Sequence, residues 1–315
     1  MRVWSSFADL DLGLRRELLN QALVVTIGNF DGVHQGHQVL LARTRAVAEE
    51  KKRFSLVVTF EEHTSATLRQ GSPPLLMTSQ EKLDFLSQLG LSGCLMLRFT
   101  SEVARMSPEE FLLHLVKLGA KEIIVGHDFT FGKDAIGDTD FLLDFAKQYG
   151  IYAEVIPPVK VKGKIVCSSC IRGLLQEGRV RESNLMLKRP FTVNGTVVHG
   201  DHRGRTLGFP TANLNLSPDK LLPKYGVYLV RSHVKGRVDY GLANVGMKPT
   251  FSTPHPIIEV YLFDTSENLY GTEMTVEFLE FIRAEQKFSS SAALIEQMKK
   301  DEIEGRRMMA MDMLV

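Results

Sequence analysis

The spacing of apolar positions divides the chain into two kinds of text. In the first part, short continuous apolar runs alternate with stretches in which apolar residues recur every three or four positions. The runs predict buried strands and the recurring pattern predicts amphipathic helices. Strands are expected at 22–28, 54–60, 93–97 and 121–126, and helices at 38–52, 79–89, 108–118 and 140–149. Ser107, Pro108 and Glu110 make a capping box with proline at the first helical position, and Gly119 follows that helix. Strands that alternate with helices pair in parallel, with helices on both faces. Ligands then bind beyond the carboxyl ends of the strands. Chemistry is therefore expected in the loops after Gly28, Phe60 and Gly126.

Near residue 188 the pattern changes. Strand-like segments now follow one another at 192–199, 226–233, 238–245, 257–263 and 273–281. Val234-Lys235-Gly236-Arg237 suits a hairpin turn. Such a succession predicts an antiparallel barrel, closed or nearly so. An amphipathic helix at 291–308 follows it. A chain of 315 residues accommodates two domains, and the change of pattern puts them at 1–183 and 184–315.

Composition changes this picture little, but it excludes classes. With 44% apolar and 24% charged residues the chain is globular rather than disordered. The formal net charge is +1, and neither half is basic, so no field draws in nucleic acid or an anionic membrane. No apolar run approaches the roughly 20 residues that span a bilayer, and Met1–Ser6 lacks a signal-peptide core. Three cysteines leave an odd thiol, which points to a reducing compartment, most simply the cytoplasm.

The densest chemical signal is Gly28-Asn29-Phe30-Asp31-Gly32-Val33-His34-Gln35-Gly36-His37. It lies where a parallel strand hands over to a helix. Backbone N–H groups at a helix start attract anions, and glycines admit a phosphate close to the backbone. Histidines there can donate hydrogen bonds as charge builds in a transition state. A glycine-rich turn with two structural histidines is the competing account.

In the second half, Val197 to Asn213 holds three glycines spaced four apart, Gly200, Gly204 and Gly208. That spacing suits a loop that approaches a ligand. Thr211 and Asn213 offer hard oxygens at alternate positions, which face the same way on an extended segment. Hard oxygens suit Mg²⁺ with a nucleotide.

The first string resembles the H-x-G-H nucleotidyltransferases. At full length it is similar to the adenylyltransferase half of the prokaryotic bifunctional riboflavin kinase/FAD synthetases. The resemblance implies that Gly28, Asn29, Phe30, Asp31, His34 and His37 serve ATP. Cys167-Ser168-Ser169-Cys170-Ile171-Arg172 matches the family's S-S-T-x-I-R. There Ser168, Ser169 and Arg172 would close on the same triphosphate. The Cys167-x-x-Cys170 spacing also admits a redox or zinc reading. A redox pair usually follows the first strand of a thioredoxin-like fold, and tetrahedral zinc needs four ligands. Two small residues in a phosphate loop, rather than a disulfide or a metal site, is the expectation. Val125 to Lys133 resembles G-x-D-F-x-F-G-K, which implies Asp128 and Phe129 on the flavin side. The family's T-F-x-P-H-P reads Thr59-Phe60-Glu61-Glu62-His63-Thr64 here. Glu62 and Thr64 replace both prolines, which loosens the loop. A Glu62 carboxylate turned inward would repel the FMN phosphate.

The second string resembles the riboflavin kinase signature G-x-x-x-G-R-x-L-G-F-P-T-A-N. The resemblance implies that Thr211 and Asn213 hold ATP–Mg²⁺ and that Glu259, opening E-V-x-L-x-D, is the catalytic base. It further implies that Arg283 and Glu285 border the flavin. Lys188 stands where the family's L-G-R-P has glycine, at a junction expected to tolerate it.

The implied fold is α/β. It joins a Rossmann-like nucleotidyltransferase domain to an antiparallel β-barrel kinase domain with a terminal helix. The implied activity is phosphorylation of riboflavin to FMN, then adenylylation of FMN to FAD, with ATP as co-substrate. Two alternatives are a kinase whose N-terminal domain is impaired or repurposed, and a flavin- or nucleotide-binding regulator without turnover.

Overall fold

A computed structural model describes residues 1–17, 21–61, 73–200, 207–248, 255–265 and 267–312. It divides into two compact units, Met1–Ser168 and Ser169–Val315. That division falls earlier than residue 183, because the two helices before the barrel belong to the second unit.

The first unit begins with β1 (Arg2–Trp4) and α1 (Phe7–Glu17). It continues through β2 (Leu23–Ile27), α2 (Gln35–Glu50), β3 (Phe54–Phe60) and α3 (Ser79–Ser87). Then come β4 (Gly93–Leu97), α4 (Ser101–Arg105), α5 (Pro108–Lys117) and β5 (Ala120–Gly126). The unit closes with α6 (Thr139–Tyr149), β6 (Tyr152–Ile156) and a small hairpin, β7 (Lys160–Val161) and β8 (Lys164–Ile165).

The large sheet has the order β1-β4-β3-β2-β5-β6, and every pair in it is parallel. Strands β2, β3 and β4 are buried along their whole length, as continuous apolar runs require. Their side chains alternate between two cores. Val25, Leu56 and Leu95 pack with Phe111 and Leu142 of α5 and α6. Val24, Val57 and Met96 pack with Leu40 and Leu86 of α2 and α3. The chain winds outward from β2 in one direction and from β5 in the other. The carboxyl ends of β2 and β5 therefore flank the point where strand order reverses, the usual place for a ligand crevice in such a sheet.

The second unit opens with α7 (Ser168–Gln176), whose first residue closes the first unit, and α8 (Val180–Leu187). Six strands follow: β9 (Phe191–Val198), β10 (Ala212–Leu216), β11 (Gly226–Val234), β12 (Arg237–Lys248), β13 (His255–Leu262) and β14 (Glu273–Ala284). They close into a barrel, in the order β10-β13-β12-β11-β14-β9, with every pair antiparallel. Strand β9 alternates strictly between buried and less buried positions, as a strand with one face in a core should. At the β11–β12 hairpin, Val234 pairs with Arg237. Lys235 and Gly236 between them both take positive φ, which makes the tight primed turn matched to strand twist.

Helix α9 (Ser291–Asp312) ends the described chain. A Cβ at Gly305 would lie 2.7 Å from Leu242 Cδ2, so the helix backbone runs close against β12. Met308 and Met309 pack on the cluster of Val227, Leu229, Leu242 and Phe263.

Candidate active sites

In the first unit, the string from Gly28 to His37 turns the end of β2 into α2. The helix starts at Gln35 rather than Gln38 because His34 caps it. His34 Nδ1 accepts from the His37 backbone N–H at 3.3 Å. A ring nitrogen that accepts carries no proton, so in the neutral ring the proton sits on Nε2. The rings of His34 and His37 stack with centroids 3.6 Å apart, and Phe30 meets His37 edge-on at 5.2 Å. Phe30 and Val33 hold positive φ, a costly conformation, most of all for a β-branched residue. Both side chains are fully buried, and that packing offsets the cost.

Asp31 turns its carboxylate inward, where it accepts from the backbone N–H of Leu76 at 3.2 Å and of Met77 at 3.1 Å. Its carbonyl accepts from Ser168 Oγ at 2.9 Å. Asp31 thus ties the string to the segment before α3 and to the first residue of α7. Gln38 Nε2 adds a bond to the Val33 carbonyl at 2.9 Å.

Arg172 is buried on α7, and Ser169 is exposed in its first turn. One expectation is corrected here. Cys167 and Cys170 are joined in a disulfide, and Cys94 is the free cysteine. Residues three apart at a helix start share a face at disulfide reach. A C-x-x-C cross-link therefore needs no thioredoxin-like strand before it. The odd thiol, Cys94, is buried in the sheet, and burial pushes it up to about 12.

After β5, Phe129 and Phe131 stack at 5.0 Å, while Asp128 is exposed. Phe131 pairs with Gly137 through both backbone groups. Beneath the ends of β2 and β3 lies Lys82 of α3, 5% exposed. Its ammonium donates to the carbonyls of Asn29 at 3.0 Å and Phe60 at 2.7 Å, and to Thr59 Oγ1 at 3.3 Å. Burial lowers it to about 8, against the opposing pull of the Asp31 carboxylate.

In the second unit, a cavity of about 970 Å³ opens in the barrel. Glu259 of β13 stands directly opposite Asn213 of β10 and, on its other side, Asn244 of β12. Directly opposed residues project on one face, and all three line the cavity together with Thr211, Arg283 and Glu285. A Cβ at Gly200 would lie 2.3 Å from Asn213 Nδ2, so only glycine leaves that amide its place. Gly208 holds positive φ. Arg283 is fixed by Asp301 of α9, with Nε 2.9 Å and 3.0 Å from the two carboxylate oxygens and Nη2 2.7 Å from Oδ2. Glu285 lies against Gly246, where a Cβ would come 2.1 Å from its Oε1.

Two family models match this chain, FAD synthetase over residues 17–170 and riboflavin kinase over residues 187–309. The bifunctional riboflavin kinase/FMN adenylyltransferase of Bacillus subtilis is 36% identical, covering 90% of this chain and 92% of its own length. The chain belongs to the bifunctional riboflavin kinase/FMN adenylyltransferase family. The Escherichia coli member is 33% identical over 91% of this chain and 92% of its own. A solved structure named as a macrolide-efflux protein from Streptococcus pneumoniae is 32% identical, with a TM-score of 0.83 over 91% of this chain and 94% of that one. That name is the other protein's own. Among the described residues here, no helix is long and apolar enough to cross a membrane.

The first string thus falls between β2 and α2, and Thr211 and Asn213 of the second line the barrel cavity. Gly204, Glu62 and Thr64 lie outside the described residues. Asp301, Asn244 and Lys82 are the side chains that motif reading missed. Asp301 carried a signal, because it falls on the stripe Leu294, Met298, Gly305 and Met308 that turns α9 toward the barrel. Lys82 carried the same kind of signal, four residues before buried Leu86.

Proposed function

We propose that this chain makes FAD from riboflavin in two ATP-dependent steps, one in each functional domain, 1–183 and 184–315. Carrying the boundary past α7 keeps Ser169 and Arg172 with the transferase chemistry. The observation that carries the kinase step is the register of β10 and β13, with Glu259 opposite Asn213 in the cavity. For the transferase step it is His34 and His37 at the end of β2.

In the kinase step, the terminal hydroxyl of riboflavin's ribityl chain attacks the γ-phosphorus of ATP. Glu259 accepts the hydroxyl proton as the new P–O bond forms, ADP leaves, and FMN results. Phosphoryl transfer needs positioning and charge neutralisation more than covalent help, and a carboxylate within hydrogen-bond reach is an adequate base. Thr211 and Asn213 present hard oxygens two residues apart beside that carboxylate. That donor set fits Mg²⁺, which takes few protein ligands and keeps phosphate and water. Bound there, the ion would neutralise phosphate charge. Arg283 and Glu285 border the flavin, and Asp301 fixes the guanidinium so that its orientation is set before substrate arrives. Gly200, Gly204 and Gly208 serve the nucleotide.

In the transferase step, an FMN phosphate oxygen attacks the α-phosphorus of a second ATP. The bond to the β-phosphate breaks and pyrophosphate leaves, so no protein nucleophile is needed. Gly28 through Asp31 and the start of α2 cradle the phosphates. His34 donates from Nε2 and His37 from its ring as charge builds on the α-phosphate and leaving group. Ser168, Ser169 and Arg172 hold the rest of the triphosphate, and Asp128 and Phe129 lie on the flavin side.

The two sites are separable by substitution. Glu259→Ala is expected to abolish FMN formation and leave adenylylation of added FMN intact. His37→Ala is expected to lower adenylylation by about a hundredfold or more, the usual cost of one lost transition-state donor, with FMN formation intact. If either change in folded protein removed both activities, the two-site reading would be wrong.

One observation favours a second reading, a kinase with an impaired transferase: the Cys167–Cys170 disulfide at the start of α7. A cross-link there limits how the first turn adjusts to a phosphate.

A further inference from the structure

We propose that Lys82 is a positioning residue for adenylyl transfer, its buried ammonium tying the ATP-side loop at Asn29 to the flavin-side loop at Phe60. The inference rests on the transferase reading above and adds a residue to it.

The ammonium has three N–H donors, and each meets an acceptor: Phe60 O at 2.7 Å, Asn29 O at 3.0 Å and Thr59 Oγ1 at 3.3 Å. Thr59 Oγ1 in turn donates to the Asn29 carbonyl at 3.1 Å. None of these three acceptors is a carboxylate. A buried cation with neutral acceptors is a poor device for stability alone, because an apolar side chain of the same length avoids the desolvation cost. The cation does achieve a geometry. β2 and β3 are neighbours, and Lys82 fixes the spacing of Asn29 and Phe60 at their carboxyl ends. Asn29 sits directly before Phe30, whose φ is positive.

The same helix makes a second tie. Ser79 Oγ donates to the Glu61 carbonyl. Helix α3 is itself held by the capping box of Thr78 and Glu81. Its first turns therefore hold the carbonyls of Asn29, Phe60 and Glu61 in place. In-line attack of the FMN phosphate on the α-phosphorus depends on that spacing, and a displacement of about 1 Å can cost about a hundredfold in rate.

The clamp has a pH range. Burial holds the Lys82 ammonium at about 8, so its protonated fraction falls as pH rises through that value. The groups facing it are the Asp31 carboxylate, which favours the cation, and the Cys94 thiol on β4. That thiol stays neutral across the range because burial pushes it up to about 12. On its own helix, Glu81 is engaged with the Thr78 N–H at 2.8 Å.

The test uses full-length protein, FMN and ATP, with kcat and KM for adenylylation measured from about pH 6.5 to about pH 9.5. Lys82→Met is expected to lower kcat by about tenfold to a hundredfold, with KM for ATP within about threefold of wild type. Wild type should lose kcat above about pH 8, and Lys82→Met should lack that limb. Thr59→Val, which keeps the cation and removes the bridging hydroxyl, should lower kcat by about threefold to tenfold. FMN formation by the barrel should be unchanged in both variants. A kcat for Lys82→Met within about twofold of wild type, or a limb that persists, overturns the inference. If Lys82→Met does not fold, an unchanged kcat in Thr59→Val overturns it instead. A wild-type protein that forms no FAD at all overturns the transferase reading itself, which is a different result.

Discussion

His34 does two things with one ring. Its Nδ1 ends a helix by accepting the His37 N–H, and that acceptance leaves the donor on Nε2 for a phosphate. A serine or aspartate would cap α2 as well, but neither would present an N–H donor. Arg283 and Asp301 follow the same logic in the barrel. Asp301 is buried and Arg283 half-buried, so removing one partner leaves the other charge without its partner in a partly desolvated place. Asp301→Ala is expected to destabilise the barrel by about 3 kcal/mol, read from urea unfolding, and to raise the KM for riboflavin. A change under about 1 kcal/mol would assign the pair to the surface class. The cysteines give a third prediction at this scale. Dithiothreitol should open the Cys167–Cys170 bond and raise adenylylation by about threefold or more, with the kinase rate unchanged. Cys167→Ser should show the raised rate with or without reductant. Cys94 is not a competing target, because it is already a free, reduced thiol. Equal rates before and after reduction would assign the disulfide no part in the transferase.

The strands and helices that sequence patterning found are those with strong periodicity. β3 and β4 coincide with their expected ranges, and α5 begins at Pro108 as its capping box requires. Other elements left weaker traces. β1 is three residues long and pairs with β4 at the edge of the sheet, so its run is too short to read. β10, Ala212 to Leu216, alternates Asn213 and Asn215 with apolar residues, and asparagine is a poor strand former. The string was legible there as chemistry but not as a strand. Its pairing opposite Glu259 was out of reach of local pattern, since register is set by residues far apart in sequence. The disulfide was misjudged because C-x-x-C was weighed by fold context rather than by its position at a helix start. Lys188 carries its own element-scale consequence. It ends α8 in the left-handed region with φ of 59°, where a side chain is disfavoured. Lys188→Gly is expected to stabilise the protein by about 1 kcal/mol in thermal or urea unfolding. Loss of stability would mean that the side chain makes contacts worth more than the strain.

At the scale of the molecule, each fold supplies the kind of site its chemistry uses. The parallel sheet offers a helix start at a point where strand order reverses, which suits a triphosphate held by backbone N–H groups. The barrel offers a walled cavity lined by a carboxylate and an amide on adjacent strands and by the Thr211 hydroxyl just before one of them, which suits transfer to an alcohol. The product of the second site is a substrate of the first, so the order of flavins over time follows from the architecture. Removal of divalent metal with EDTA should stop FMN formation, and excess Mg²⁺ should restore it. FMN formation unaffected by the chelator would contradict the reading of Thr211 and Asn213 as metal ligands. The most direct measurement incubates the purified full-length chain with riboflavin, ATP and Mg²⁺ and separates flavins by chromatography over time. FMN should rise first and FAD should follow at its expense, with pyrophosphate released in step with FAD. FMN that accumulates without FAD would contradict the two-step account, and riboflavin left unchanged would contradict both sites.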